Sequence, residues 1–309
     1  MVQTIELSIV IPVFNEELVL PELYERVKTV CDDFGKSYEI LFIDDGSLDG
    51  SSLKLQELQK NDSNIRVVQF TRNFGQQAAV LAGFRLSRGE IVVQIDSDLQ
   101  NPPEEIPKLL EALSPNYDLV TTVSKKRKDE FWRVAGSIFL KWLGQKVLGN
   151  RFKLNLSSFR AMRRSVIEKI DACSDRSRYM AVLASWMAVP SKEIEVEHHN
   201  RTKGSTKYSF FDLAVLAWDL IAGFSNTPLR LVTYMGVFGA IMGFTVTAFL
   251  LFQRIVNDIL IEGFIVLSAV FAFFAGVQLL SIGILGEYVG RIYLQVQNRP
   301  DYIVEKIHE

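Results

Sequence analysis

The chain has 309 residues, 48% of them hydrophobic and 23% charged, and a formal net charge of -2. That length allows one large or two small domains. The composition excludes a disordered, collagen-like or disulfide-stapled protein, and the near-neutral balance gives no reason to expect a nucleic-acid partner. The charge is unevenly spread: residues 1–124 hold 10 Lys+Arg against 20 Asp+Glu, and residues 125–207 hold 19 against 8. An acidic stretch followed by a basic one suits a site that takes a cation and then anionic groups; the alternative is two ordinary solvated faces.

Leu7–Val13 (LSIVIPV) is short, β-branched and apolar, the pattern of a buried strand. Apolar residues at helical spacing follow over Glu17–Phe34. Tyr38–Asp44 is a second strand, closed by the turn residues Asp45-Gly46-Ser47. Then come a helix over Ser51–Leu58, a strand over Ile65–Phe70, an Ala- and Leu-rich helix over Gln76–Ser87 and a strand over Glu90–Asp96. Pro103 suits the first turn of a helix over Glu104–Leu113, and Tyr117–Val123 is a fifth strand. Strands alternating with helices predict an α/β domain with a mostly parallel sheet, whose ligands sit at the carboxyl ends of the strands. Asn15-Glu16, Asp44-Asp45 and Asp96–Gln100 all fall at such ends.

Beyond residue 124 the pattern loosens. A helix is expected over Phe131–Leu148, a strand over Lys153–Arg160, helix over much of Ser165–Ala188 and an edge strand over Lys192–His198. Ser209–Phe224 is apolar over most of its surface. It reads as a helix lying in a membrane interface, or as a core helix. Leu231–Gln253 and Gly263–Gly286 are 23 and 24 residues without a charge. At about 1.5 Å per residue each reaches roughly 35 Å, enough to cross the ~30 Å hydrocarbon core. The expected organisation is 1–208 as an α/β domain, 209–228 as the interfacial helix, 229–290 as a two-helix transmembrane hairpin and 291–309 as a tail. Arg230, Arg291, Arg299 and Lys306 place both termini in the cytoplasm by the positive-inside rule. Gly236, Gly239 and Gly243 suit a close helix contact, which leaves room for a homo-oligomer without fixing a count. The first eight residues lack a basic, then apolar, leader pattern. Cys31 and Cys173 have no metal spacing and suit a reducing compartment.

Asp96-Ser97-Asp98 ends a strand. Two carboxylates two residues apart can meet one hard cation, Mg²⁺ or Mn²⁺, with Gln100 adding a neutral oxygen. A cap or turn is the plainer reading of an isolated Asp-x-Asp. Asp44-Asp45-Gly46-Ser47 reads either as a turn or as a carboxylate that accepts the N–H of a nucleobase. Pro12-Val13-Phe14-Asn15-Glu16 reads either as a helix start capped by Asn15 or as a wall around a base and ribose. No phosphate-cradling glycine loop is present, neither G-x-G-x-x-G after the first strand nor G-x-x-x-x-G-K-[ST]. A bound diphosphate would then rely on a metal and on cations such as Lys125–Lys128, Arg133, Arg201, Lys203 and Lys207. The 125–128 run would equally suit anionic lipid. His198-His199 point to opposite faces of a strand and read as structural.

Together VIPVFNEE (Val10–Glu17), DDGS (Asp44–Ser47), TRNFGQ (Thr71–Gln76), DSDLQNPPEEIP (Asp96–Pro107), RTKGSTKYSF (Arg201–Phe210) and GEYVGRIY (Gly286–Tyr293) resemble family 2 glycosyltransferases of GT-A fold. More narrowly they resemble the polyprenyl-phosphate branch that includes dolichol-phosphate mannose synthase. The resemblance covers nearly the whole chain. It implies a Rossmann-like GT-A domain that transfers a sugar from a nucleotide diphosphate, UDP by resemblance, to undecaprenyl or another polyprenyl phosphate. The setting would be the cytoplasmic face of a bacterial inner membrane, in cell-envelope glycan or lipopolysaccharide modification. Pro12, Phe14, Asn15, Glu16, Asp44, Asp45 and Asp96 would line the nucleotide; Asp96, Asp98 and Gln100 would hold Mg²⁺ or Mn²⁺, Asp96 and Asp98 carrying catalysis. Lys125, Arg133, Arg201 and Lys207 would contact phosphates. Many members carry an acid just before Phe-Arg, where this chain has Ser158, so no separate base is expected there. Two other readings are a polysaccharide synthase and a non-catalytic membrane carrier of nucleotide sugar. The first lacks its Q-x-x-R-W motif and has too few spans here. The second is opposed by the intact Asp96 and Asp98.

Overall fold

The structure is a computed structural model in which residues 5–124, 157–173, 190–197, 227–256, 263–297 and 299–309 are described. It divides into two compact units, Met1–Lys207 with Pro300–Glu309, and Tyr208–Arg299.

The first unit is built on strands β1 (Leu7–Val13), β2 (Tyr38–Asp44), β3 (Ile65–Phe70), β4 (Ile91–Gln94), β5 (Leu119–Ser124), β6 (Arg160–Arg163), β7 (Ser191–Val196) and β8 (Val304–His308). They form one eight-stranded sheet in the order β7-β5-β6-β4-β1-β2-β3-β8. Pairings β1–β2, β1–β4, β2–β3 and β5–β7 are parallel, while β4–β6, β5–β6 and β3–β8 are antiparallel. All seven residues of β1 are buried, as expected of a central strand covered on both faces.

Strand alternation sorts the core into two layers. Leu7, Ile9, Ile11 and Val13 pack with α1 (Leu20–Phe34), α2 (Ser51–Asn61) and α4 (Ile106–Ala112). Val10, Leu41, Ile43, Val92 and Met162 face α3 (Gln76–Leu86) and α5 (Arg164–Ala172) on the other side. In α1 the buried positions Leu20, Leu23, Tyr24, Val27, Val30 and Cys31 recur at helical spacing. Gly35, at a φ of 68°, ends it in the left-handed conformation. Burial pushes the Cys31 thiol up to about 12, which makes it inert at neutral pH.

Three local expectations are corrected. Helix α1 begins at Leu20 after Val19, not at an Asn15 cap. Asn15 instead takes a left-handed φ of 56° and bonds to the loop after β2. The strand expected over Lys153–Arg160 begins only at Arg160 among the described residues, because Ser157 Oγ accepts the Phe159 N–H and turns the chain. Finally, residues 304–308 form a strand that periodicity does not reveal: β8 lies antiparallel on the outer edge of β3. The helices expected over 131–148 and 209–224, and His198-His199, lie outside the described residues.

In the second unit, α6 (Thr227–Val256) and α7 (Gly263–Val296) have 30 and 34 residues, about 45 and 50 Å long. Both are long and apolar enough to cross a membrane. Their large apolar side chains are outward, Phe244 at 78% and Phe271 at 73% exposure, unlike core helices of a soluble domain. Gly239 and Gly243 sit against Phe274 of α7, where an added Cβ would lie 3.1 and 3.4 Å from the ring; nothing approaches Gly236.

Candidate active site

The carboxyl ends of β1, β2 and β4 lie side by side, because Val13 registers with Asp44 and Val10 with Gln94. The loops beyond them are tied together by side chains. Asn15 N–H donates to Ser47 Oγ and Leu48 N–H to Asn15 Oδ1. Glu16 N–H donates to Ser51 Oγ, and Gly50 N–H to Glu17 Oε2. Phe14, 41% exposed at the tip of β1, stands beside this network. Pro12 lies inside the strand and is buried, as are Ile11 and Val13 on either side of it, so the surface at this end of β1 begins at Phe14.

Asp44 and Asp45 are adjacent and do different work. Asp45 is buried, and its two oxygens accept the Phe74 and Gly75 N–H groups at 2.7 and 2.9 Å. It therefore fixes the loop entering α3. Burial raises its pKa, and those two N–H groups oppose the rise. Asp44 is fully buried; Oδ1 accepts the Ser47 N–H, while Oδ2 has no hydrogen-bond partner among the described residues. A buried orphan acceptor is costly unless a ligand donor meets it. Gly46, at a φ of 67°, passes so close to Arg72 that a Cβ would sit 2.4 Å from its carbonyl carbon. Gly46→Ala is expected to cost about 2–4 kcal/mol and to weaken binding of any ligand that meets Asp44 at least about tenfold. Thermal unfolding and titration calorimetry check both.

Asp96 is held from two sides. Gln76, at the start of α3, donates Nε2 to Oδ1 at 2.8 Å, and Ser158 donates its hydroxyl to Oδ2. Burial pushes the Asp96 carboxyl up, the Ser158 bond pulls it down, and the neighbouring Asp98 adds to the rise. Asp98 accepts the Gln100 N–H at 3.2 Å through Oδ1, in a turn that puts Leu99 at a φ of 57°. Among the described residues Oδ2 of Asp98 has no hydrogen-bond partner. No group of three or more His, Cys, Asp or Glu converges among the described residues. Two carboxylates fit Mg²⁺ or Mn²⁺, ions that take one or two protein carboxylates and complete their shell with phosphate and water.

The structure thus brings Phe14, Asn15, Glu16, Asp44, Asp45, Asp96, Asp98 and Gln100 to one edge of the sheet. Lys125, Arg133, Arg201 and Lys207 lie outside the described residues. Reading the sequence assigned no role to Gln76, Ser158 or Arg160. Gln76 closes the TRNFGQ segment, and Ser158 and Arg160 flank Phe159 in a motif read only for its missing acid. Their signal was position within those segments, not residue chemistry.

A mixed, mostly parallel sheet with acidic loops at the ends of β2 and β4 is the GT-A class of glycosyltransferase fold. The chain belongs to glycosyl transferase family 2, whose family model matches residues 8–171. Undecaprenyl-phosphate 4-deoxy-4-formamido-L-arabinose transferase of Aeromonas hydrophila is 40% identical over 303 residues, 97% of this chain and 93% of that protein. The enzyme of that name from Pseudomonas aeruginosa is 42% identical over 303 residues, 97% and 89% of the two chains. Among solved structures, glucosyl-3-phosphoglycerate synthase from Mycobacterium tuberculosis, in complex with Mn²⁺ and UDP-glucose, superimposes with a TM-score of 0.50 at 20% identity. The match covers 71% of this chain and 77% of that one.

Proposed function

We propose that the protein transfers a sugar from a nucleoside diphosphate, UDP in our reading, to a polyprenyl phosphate at the cytoplasmic face of a bacterial inner membrane. The observation that carries this is the juxtaposition of the orphaned Asp44 Oδ2 with the Asp96–Asp98 pair at one sheet edge. It is supported by the 40% identity over 97% of the chain to an undecaprenyl-phosphate sugar transferase. Asp44 would accept the N–H of the base, and Phe14, Asn15 and Glu16 would wall the nucleoside. Asp98, with Asp96 and Gln100 beside it, would hold the divalent cation, Mg²⁺ or Mn²⁺. When bound, that cation supplies charge neutralisation for the leaving diphosphate.

A phosphate monoester has a second pKa of about 6 and is mostly dianionic at neutral pH. It needs no base, which agrees with Ser158 in place of an acid. One acceptor oxygen attacks the anomeric carbon as the bond to the nucleoside diphosphate breaks. The electron pair departs with the diphosphate, and the anomeric configuration inverts. The two long apolar helices would be the membrane anchor. The chain leaves the first unit before them and rejoins its sheet as β8 after them. Two crossings return a chain to the side it left, which supports both termini on one face.

The test supplies purified protein, undecaprenyl phosphate, Mg²⁺ or Mn²⁺ and a panel of labelled nucleotide sugars, with an EDTA control. Metal-dependent label in extractable lipid from one donor is expected, and names the sugar. Folded, nucleotide-binding protein that labels no lipid from any donor overturns the reading.

A further inference from the structure

The strand beyond β4 carries a charge that the site as described does not use. Arg160, the first residue of β6, is 4% exposed, and its Nε is buried without a hydrogen-bond partner. No described residue accepts a hydrogen bond from its guanidinium; the opposite charge acting on it is Asp96. Burial lowers its pKa to about 10, so it remains charged at neutral pH. Directly across the strand pair Gln94 leaves Oε1 buried and, among the described residues, unpartnered as well. Alternation puts Gln94, Arg160 and Thr121 in one row on the α3/α5 face, level with the carboxyl end of β4. A buried guanidinium whose Nε meets no acceptor among the described residues, with one carboxylate to balance its charge, is expensive to keep unless a ligand completes it.

Strand order says which ligand group reaches it. The loops assigned to the nucleoside follow β1 and β2, the Asp96–Asp98 pair follows β4, and β6 is the next strand outward. A donor laid with its base over β1 and β2 and its diphosphate over β4 directs its sugar toward β6. The group arriving from beyond the sugar is the acceptor. A dianionic phosphate entering there meets the carboxylates of Asp96 and Asp98, and a planar guanidinium offers it paired N–H donors.

We propose that Arg160 binds the phosphate of the incoming acceptor and is a catalytic residue of the transfer, an inference that rests on the polyprenyl-phosphate reading above. Ser158 holds Asp96 beside it, so the two ends of this short segment serve donor and acceptor separately.

The experiment uses the full chain in detergent with farnesyl phosphate as acceptor and the donor that the wild type accepts. R160Q is expected to lower kcat/KM for farnesyl phosphate about 100-fold, the loss of charge-assisted hydrogen bonds. The KM for donor and the Kd for nucleoside diphosphate should stay within about threefold. Added guanidinium ion should restore R160A at least about tenfold, which a structural role would not show. R160K keeps the charge without the fork. If the neutral variants fail to fold, R160K carries the test with an expected loss of about tenfold on the acceptor side alone. Folded variants with unchanged acceptor kinetics overturn the proposal, as does a loss that falls equally on nucleoside diphosphate binding. A wild type that labels no polyprenyl phosphate removes the functional reading itself, and this inference with it.

Discussion

Replacing Asp98 by Asn is expected to reduce sugar transfer about 10³-fold while the protein stays folded. The change is isosteric, and Oδ1 keeps its bond to the Gln100 N–H, so the turn through Leu99 survives. What is lost is the negative charge on a carboxylate whose second oxygen meets no described partner. A divalent cation at a phosphoryl leaving group stabilises the transition state by several kcal/mol, and each ~1.4 kcal/mol is tenfold in rate. Asp96→Asn differs, because both Asp96 oxygens already accept bonds from Gln76 and Ser158. An amide there also turns an acceptor into a donor facing one of them. Initial rates of lipid labelling, with thermal unfolding as control, check the first effect. An Asp98→Asn enzyme that turns over within about tenfold of wild type removes the metal role.

Removal of Pro300–Glu309 is expected to lower stability by about 3 kcal/mol and the unfolding midpoint by about 10 °C. These residues are not a free tail. Val304–His308 pairs with β3, and the Tyr302 ring stacks on Phe70 with centroids 5.0 Å apart. Phe70 is 1% exposed and would lose that cover. Glu309 bridges Arg66 at 2.8 Å and Arg88 at 2.7 Å, while Arg66 also pairs with the buried Glu39. Truncation further bares β3, a six-residue and largely apolar edge that invites association. Detergent-solubilised protein, with and without the ten residues, checks both melting and oligomer size.

The same latch has a pH sign. Hydrogen bonds from Arg66 and then Arg88 hold the Glu309 carboxyl below its ordinary value of 4.5. A carboxylate with a depressed folded pKa contributes stability above its unfolded pKa and loses it as pH falls through the folded one. The difference in melting point between the wild type and Glu309→Gln should therefore be present at neutral pH and vanish in acid. Glu309 is half exposed, so the effect is small.

Much of this was legible in the residues. β1, β2 and β3 have the expected limits, because a short β-branched run bounded by turn residues has no other stable use in an α/β chain. The acidic loops were found because ligands of parallel sheets collect at strand ends. The two long helices followed from uncharged length alone. Weaker signals failed in understandable ways. Asn15 is a good cap by composition, but here it is left-handed and serves Leu48 across the strand ends. VEKIH, the sequence of β8, alternates no more clearly than a loop would, and only its partner on β3 makes it a strand.

Periodicity and motif spacing are local properties, and they suffice for the class of fold, the acidic ends of β2 and β4 and the pair of long apolar helices. Folding alone separates the two adjacent carboxylates, with Asp45 holding a loop while Asp44 keeps an oxygen open among the described residues. Folding likewise brings Ser158 to Asp96, buries the Arg160 cation beside it and lays the last residues along the sheet. Those facts depend on partners 29 to 243 positions away in the chain. Burial and hydrogen-bond completion are set by such distant neighbours, and no window along the chain contains them.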